Sequence, residues 1–139
     1  MSRLPYNDRL TPLHSDTLIE DRVRDLIGRA NQRQLWLLFL DEHDVQLPLL
    51  IPIDGLPSQP DLAGTAAVVT NVLELMDDIG AVGLVLVWER YGPPTLTPQD
   101  TAWAQSLASA CLGARLRLRA MLLSHRSGVR WIAPDDYIS

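Results

Sequence analysis

Lysine is missing from this chain: all twelve of its basic residues are arginine. That removes a Schiff-base lysine, a phosphate-loop lysine and a lysine general base from consideration. Cysteine is nearly missing as well. The single Cys111 permits no intramolecular disulfide and no cysteine-cluster metal site, and it fits a reducing cytoplasm. Only three histidines are present, His14, His43 and His125. None has the His-x-His or His-x-x-x-His spacing that sets two ligands on one face, so each reads as a polar surface residue. No apolar run approaches the ~18 residues of a transmembrane helix. The N-terminus has no apolar stretch of the kind a secretory signal needs, so neither membrane nor export is expected. Glycines are few, and Gly80-Ala81-Val82-Gly83 precedes a strand, whereas the dinucleotide fingerprint must follow one and open a helix.

What is there has the size and balance of one domain. The chain has 139 residues, 47% hydrophobic and 21% charged, with a net charge of −5. This is a globular profile, and its acidity disfavours general binding to nucleic acid or to anionic membranes. The acidity is not spread evenly. Residues 34–89 hold nine acids and no base, whereas residues 90–139 hold six bases and three acids. Internal balancing of solvated charge and complementarity across a subunit boundary both fit that division.

Residues 1–14 read as an extended arm, because Pro5 and Pro12 break helix and no periodicity appears; residues 15–139 read as one α/β domain. A first helix is predicted from a capping box of Thr17 with Glu20, with Ile19, Val23, Leu26 and Ile27 on one face. Leu35–Leu40 reads as a strand, and Asp41-Glu42-His43-Asp44 as a turn. Val45–Ile53 reads as an edge strand, because Pro48 and Pro52 share parity and aim their missing N–H groups toward the same side. Asp61 caps a helix over Leu62–Ile79 that ends at Gly80. Val82–Trp88 is apolar on both parities, as a central strand covered on both faces must be. Thr97-Pro98-Gln99-Asp100 opens another helix, with Trp103, Leu107 and Cys111 on its buried side. A strand over Arg115–Leu123 and a short last strand over Val129–Ile132 complete the order. The fold class expected is a mixed sheet flanked by helices.

Three constellations carry candidate chemistry. Trp88, Glu89, Arg90 and Tyr91 come directly off the central strand, where α/β sheets commonly place ligand sites. With Thr97 and Asp100 they form a candidate ligand- or partner-binding set; the alternative is that the aromatics cover the sheet end while Glu89 and Arg90 are solvated. Arg115, Arg117 and Arg119 would form a stripe at about 6.6–6.8 Å spacing on one strand face. Such a stripe suits an anion; the alternative is a solvated or ion-paired face. Ser124 and His125 are neighbours in sequence, so alternation points them to opposite sides of a strand and argues against a nucleophile pair. Cys111 lies on an apolar helix face, which favours packing over reactivity.

The stretch from Leu35 to Tyr137, about three-quarters of the chain, resembles the RadC-like branch of the JAB/MPN metalloprotease-fold superfamily. “LWLLFLD” from Leu35 resembles that family's first apolar strand, and Leu62–Ile79 stands in the place of its long helix. “VGLVLV” from Val82 resembles the strand that leads into the metal motif. Thr97-Pro98-Gln99-Asp100 resembles the Ser-Pro-x-Asp element closing that motif, and Leu112-Gly113-Ala114-Arg115 its Leu-Gly-x-Arg. The departures fall on the chemistry. Trp88-Glu89-Arg90-Tyr91 stands where the family places His-x-His-Pro, and the loop that follows is about one residue shorter. The first strand carries no internal carboxylate where a catalytic glutamate is sought. The family's later Asp-His pair is replaced near Leu118 and Arg119. A zinc site with an activated water needs three protein ligands, and Asp100 alone cannot supply them.

The resemblance therefore implies a JAB/MPN- or deaminase-like three-layer fold without metal or other cofactor. The function expected is a non-catalytic interaction or regulatory module of a bacterial cytoplasmic protein, associating as a homodimer or with a protein partner. The alternative is a small-molecule or anion-binding protein, or an enzyme, with its site in the Trp88–Thr97 loop.

Overall fold

Every residue of the strand Gly83–Glu89 is buried, and the rest of the molecule is arranged around it. The computed structural model describes residues 10–137. In chain order the elements are α1 (Asp16–Leu26), β1 (Gln34–Leu40), β2 (Gln46–Ile53), α2 (Leu62–Ile79), β3 (Gly83–Glu89), α3 (Pro98–Gly113), β4 (Leu118–His125) and β5 (Gly128–Trp131). A 3-10 turn at Pro134–Asp136 follows. The five strands form one mixed sheet in the order β2-β1-β3-β4-β5. Only the β3–β4 pair is parallel, as the intervening α3 crossover requires.

The sheet divides two cores, and the pleat decides which residue enters which. Leu84, Leu86 and Trp88 of β3 face α2 and α3, where they meet Val69, Met76, Trp103 and Leu107. Val85 and Val87 face the other way, toward Ile19 and Val23 of α1. This is why the central strand has to be apolar at both parities. Leu13, which precedes α1, is also buried, and its N–H donates to the Asp44 carbonyl at 2.8 Å. The expected arm over residues 1–14 falls mostly on residues 1–9, which lie outside the described residues.

The edge role read for β2 from its prolines holds. Pro52 is paired with Trp36, and Pro48 and Pro52 lie at one parity of the strand. Because proline has no N–H, that parity must face away from β1, so the outward edge is short of donors.

Two local expectations are corrected. The N-cap of α1 is Ser15, whose hydroxyl accepts from Leu18 N–H at 3.2 Å, rather than Thr17. Both residues have capping side chains, and the cap goes to the residue with extended backbone. The strand predicted over Arg115–Leu123 begins only at Leu118 and continues to His125. Arg115 instead takes a left-handed backbone (φ 57°) in the turn that follows α3, with Leu116 N–H bonded back to the Cys111 carbonyl. Over residues 115–117 the Leu-Arg alternation is a helix-to-strand turn, and only Leu118 and Arg119 of it lie in the pleat.

Candidate functional site

Consecutive residues of a strand point to opposite faces, and the constellation at the end of β3 is split by that rule. Trp88 and Arg90 project toward α3. Glu89 projects toward α1 and joins a different set of partners. The candidate set read from sequence is thus two networks, back to back across the sheet.

On the α3 side, Asp100 is the hub. It is 2% exposed, yet its carboxylate takes Arg90 Nη2 at 2.7 Å and Arg90 Nε at 3.1 Å. Trp88 Nε1 adds a donor at 3.0 Å and Thr97 N–H another at 2.9 Å. Thr97 and Asp100 also form a reciprocal capping box on α3, with the Thr97 hydroxyl accepting from Asp100 N–H. Burial pushes the Asp100 carboxyl up, but the Arg90 bonds and charge and the Thr97 N–H outweigh it and hold it below the ordinary aspartate value. Arg90 has donors to spare and uses them on Pro93 O at 2.6 Å and Thr95 O at 3.0 Å. The guanidinium therefore fixes the whole β3–α3 loop.

Trp88 is stacked on Trp103 with ring centroids 5.6 Å apart, and Arg33 lies over the Trp88 ring at 5.0 Å. Arg33 reaches on to Leu56 O at 2.5 Å and Pro57 O at 2.7 Å, and Trp103 Nε1 donates to Pro57 O at 3.2 Å. Gln99 donates to Ser58 O. These contacts clamp the β2–α2 loop over the tryptophan pair.

On the α1 side, Glu89 is 3% exposed and accepts four hydrogen bonds. They come from Asn31 N–H at 2.6 Å, Gln32 N–H at 3.1 Å, Gln34 Nε2 at 2.7 Å and Trp36 Nε1 at 2.8 Å. Burial alone would raise its pKa; the four donors prevail and lower it. The carboxylate thereby anchors the segment that leads from α1 into β1.

Tyr91 stands apart from both networks, 74% exposed. Neither of the sequence alternatives for Glu89 and Arg90 describes them fully: they are not solvated, and their hydrogen bonds are made within the chain. Asn31, Arg33, Gln34, Trp36 and Trp103, which complete the two networks, were not candidates from sequence. Gln34 and Trp36 share parity in β1, and Gln34 sits directly opposite Glu89; only knowledge of the pairing register makes that readable.

The arginine stripe is corrected as well. Arg115 is off the strand, as described above. Arg117 lies at 3.5 Å from Asp44 and Arg119 at 3.1 Å from Asp16. Arg117, which also precedes the strand, meets the expected pairing with the acidic middle segment at Asp44, whereas Arg119 pairs with Asp16 of α1, outside that segment. Arg115 borders a groove of about 510 Å³ between the end of α2 and the start of β4, with Glu74 and Asp77 among its lining residues. Cys111 is 1% exposed, and burial pushes its thiol up to about 11, which makes it inert at neutral pH. Ser124 and His125 do diverge. The Ser124 hydroxyl donates to Gly28 O on the α1 side, while His125 faces the α3 side among Arg90, Arg130 and Arg126.

Among the described residues, no three His, Cys, Asp or Glu side chains converge as a metal site would need, and no helix is long and apolar enough to cross a membrane. No protein-family model matches the chain, and no curated protein matches it in sequence.

Proposed function

We propose that this chain is a non-catalytic interaction module of a bacterial cytoplasmic protein, a metal-free counterpart of the RadC-like JAB/MPN domains, that associates with a second copy of itself through α2 and α3. One observation carries this reading: the first two-thirds of α2 and all of α3 beyond its capping turn are uncharged, the acids of α2 being confined to its C-terminal end. From Leu62 to Leu73 and from Thr101 to Ala114 there is no acidic or basic residue. Soluble surfaces ordinarily carry about 25–35% charged side chains. Ala66, Ala67, Thr70, Gln105, Ser109 and Leu112 are all exposed on these two helices, which pack together through a Ser106–Thr65 hydroxyl bond of 2.9 Å.

A chain of net charge −5 repels its copies over most of its surface. Apposing these uncharged stretches reduces that repulsion, and an isologous contact needs only one such surface. The strand-end geometry agrees with a role other than catalysis. In the resemblance, Trp88 and Arg90 stand where histidines would hold a cation, and here the Arg90 guanidinium is itself the cation facing Asp100. A ligand site within the Trp88–Thr97 loop has less support, because Glu89, Arg90 and Asp100 already spend their hydrogen bonds inside the chain.

Sedimentation equilibrium of the full chain at tens of micromolar tests the reading. A dimer is expected, converted to monomer by Ala66→Arg with Ser109→Arg. A strict monomer for the unaltered chain, or a dimer indifferent to both substitutions, sinks it.

A further inference from the structure

The helix α2 runs into β3 and α3 runs into β4, and those two strands are parallel. Both helices therefore bring their C-termini, the negative ends of their dipoles, to the same end of the sheet. At that end lies the groove of about 510 Å³ between the last turns of α2 and the start of β4. Small-molecule sites ordinarily have volumes of roughly 300–1,000 Å³.

The charges of α2 run against its dipole. Cations favour a helix C-terminus, yet the last turn of α2 holds no base, and Glu74 and Asp77 line the groove instead. Arg115 and Arg117, from the segment entering β4, line it too. Arg117 is occupied, reaching Asp44 at 3.5 Å. Glu74, Asp77 and Arg115 are exposed, and none makes a side-chain hydrogen bond or ion pair among the described residues. Opposite charges thus share one groove without closing on each other. Its remaining surface is apolar: Met76 and Leu116 are buried, while Leu73 and Val82 stay 37% and 45% exposed.

We propose that this groove binds a short peptide by its two free termini, the ammonium on Glu74 and Asp77 and the carboxylate on Arg115. A guanidinium takes both oxygens of a carboxylate at once. Two acids at the negative end of a helix suit an ammonium. A ligand with only one of those charges would leave the opposite set in the groove unmatched. The apolar surface gives the peptide's side chains an area to bury. Ala66 and Ser109 do not line the groove, so the site goes beyond the dimer proposed above and is tested apart from it.

The test is an NMR titration of the full chain with the dipeptide Leu-Leu at constant pH and ionic strength, followed through the Val82 and Leu116 amides. A saturable shift is expected, with a dissociation constant on the order of 1 mM. Acetylating the peptide's ammonium, or amidating its carboxylate, should each weaken binding about tenfold or more. Arg115→Asn should do the same, and asparagine accepts the left-handed backbone that Arg115 holds at φ 57°. Glu74→Gln with Asp77→Asn should weaken the free dipeptide to the level of the acetylated one. A shift that grows linearly with Leu-Leu, capped peptides that bind as well as the free one, or binding unaltered in a folded Arg115→Asn protein overturns the site.

Discussion

Arg90 and Asp100 form a buried ion pair in which Nη2 and Nε both address Oδ2, at 2.7 and 3.1 Å. The pair joins the last residues of the central strand to the first turn of α3, and its remaining donors hold the loop between them. Removing one partner leaves the other charged and out of water. Asp100→Asn and Arg90→Met are each expected to cost about 3–5 kcal/mol, read as a fall in the urea midpoint with little change in slope. A loss below about 1 kcal/mol, the range of exposed pairs, would show that the pair is solvated. Arg119→Ala, which breaks the more exposed contact to Asp16, serves as the comparison and should fall in that lower range.

Glu89 carries the opposite side of the sheet end. Glu89→Gln conserves shape but replaces an acceptor oxygen with an amine. Two of the four donors from Asn31, Gln32, Gln34 and Trp36 then face an N–H₂ group. The expected cost is about 1–3 kcal/mol for each donor left unpaired. Hydrogen exchange should report the loss locally, with faster exchange of the Asn31 and Gln32 amides than of the β3 amides.

The two carboxylates also set the acid limb of stability. Both have folded pKa values below their ordinary ones, 4.5 for glutamate and 3.8 for aspartate. A depressed pKa gives stability that is fully present above the unfolded value and is lost as pH falls through the folded value. The contribution of these two carboxylates should be level from neutral pH down to about pH 5 and then decline. The slope below pH 5 should be shallower in Glu89→Gln and in Asp100→Asn. An acid limb identical in all three proteins would assign the decline to other groups.

How much of this was legible beforehand follows from range. The order of helices and strands, the edge role of β2 and the central role of β3 all come from periodicity and proline parity, which act within one segment. The capping box of Thr97 and Asp100 is equally local. The partners of Glu89 were not legible, because Asn31 and Gln34 lie more than fifty residues away and meet it only through the β1–β3 register. The split of Trp88 and Arg90 from Glu89 was available from alternation alone, yet adjacency in sequence suggested one site. Arg115 fell outside the strand because α3 needed three more residues to turn back, a demand set by tertiary packing against Leu116.

Pro48 and Pro52 supply the last prediction. Their parity faces away from β1, so the free edge of the sheet presents Leu50 N–H between two residues that cannot donate. The strand is otherwise an aggregation hazard, with Leu47, Leu49, Leu50, Ile51 and Ile53 in a row and no charge within it. Replacing both prolines with valine restores two outward donors at a β-favouring residue and leaves the bonds to β1 untouched. The doubly substituted chain is expected to keep or gain thermal stability while forming thioflavin-positive aggregates, which the unaltered chain does not form under the same conditions. A double variant that stays soluble at several times the concentration would show that the edge is protected by something other than its prolines.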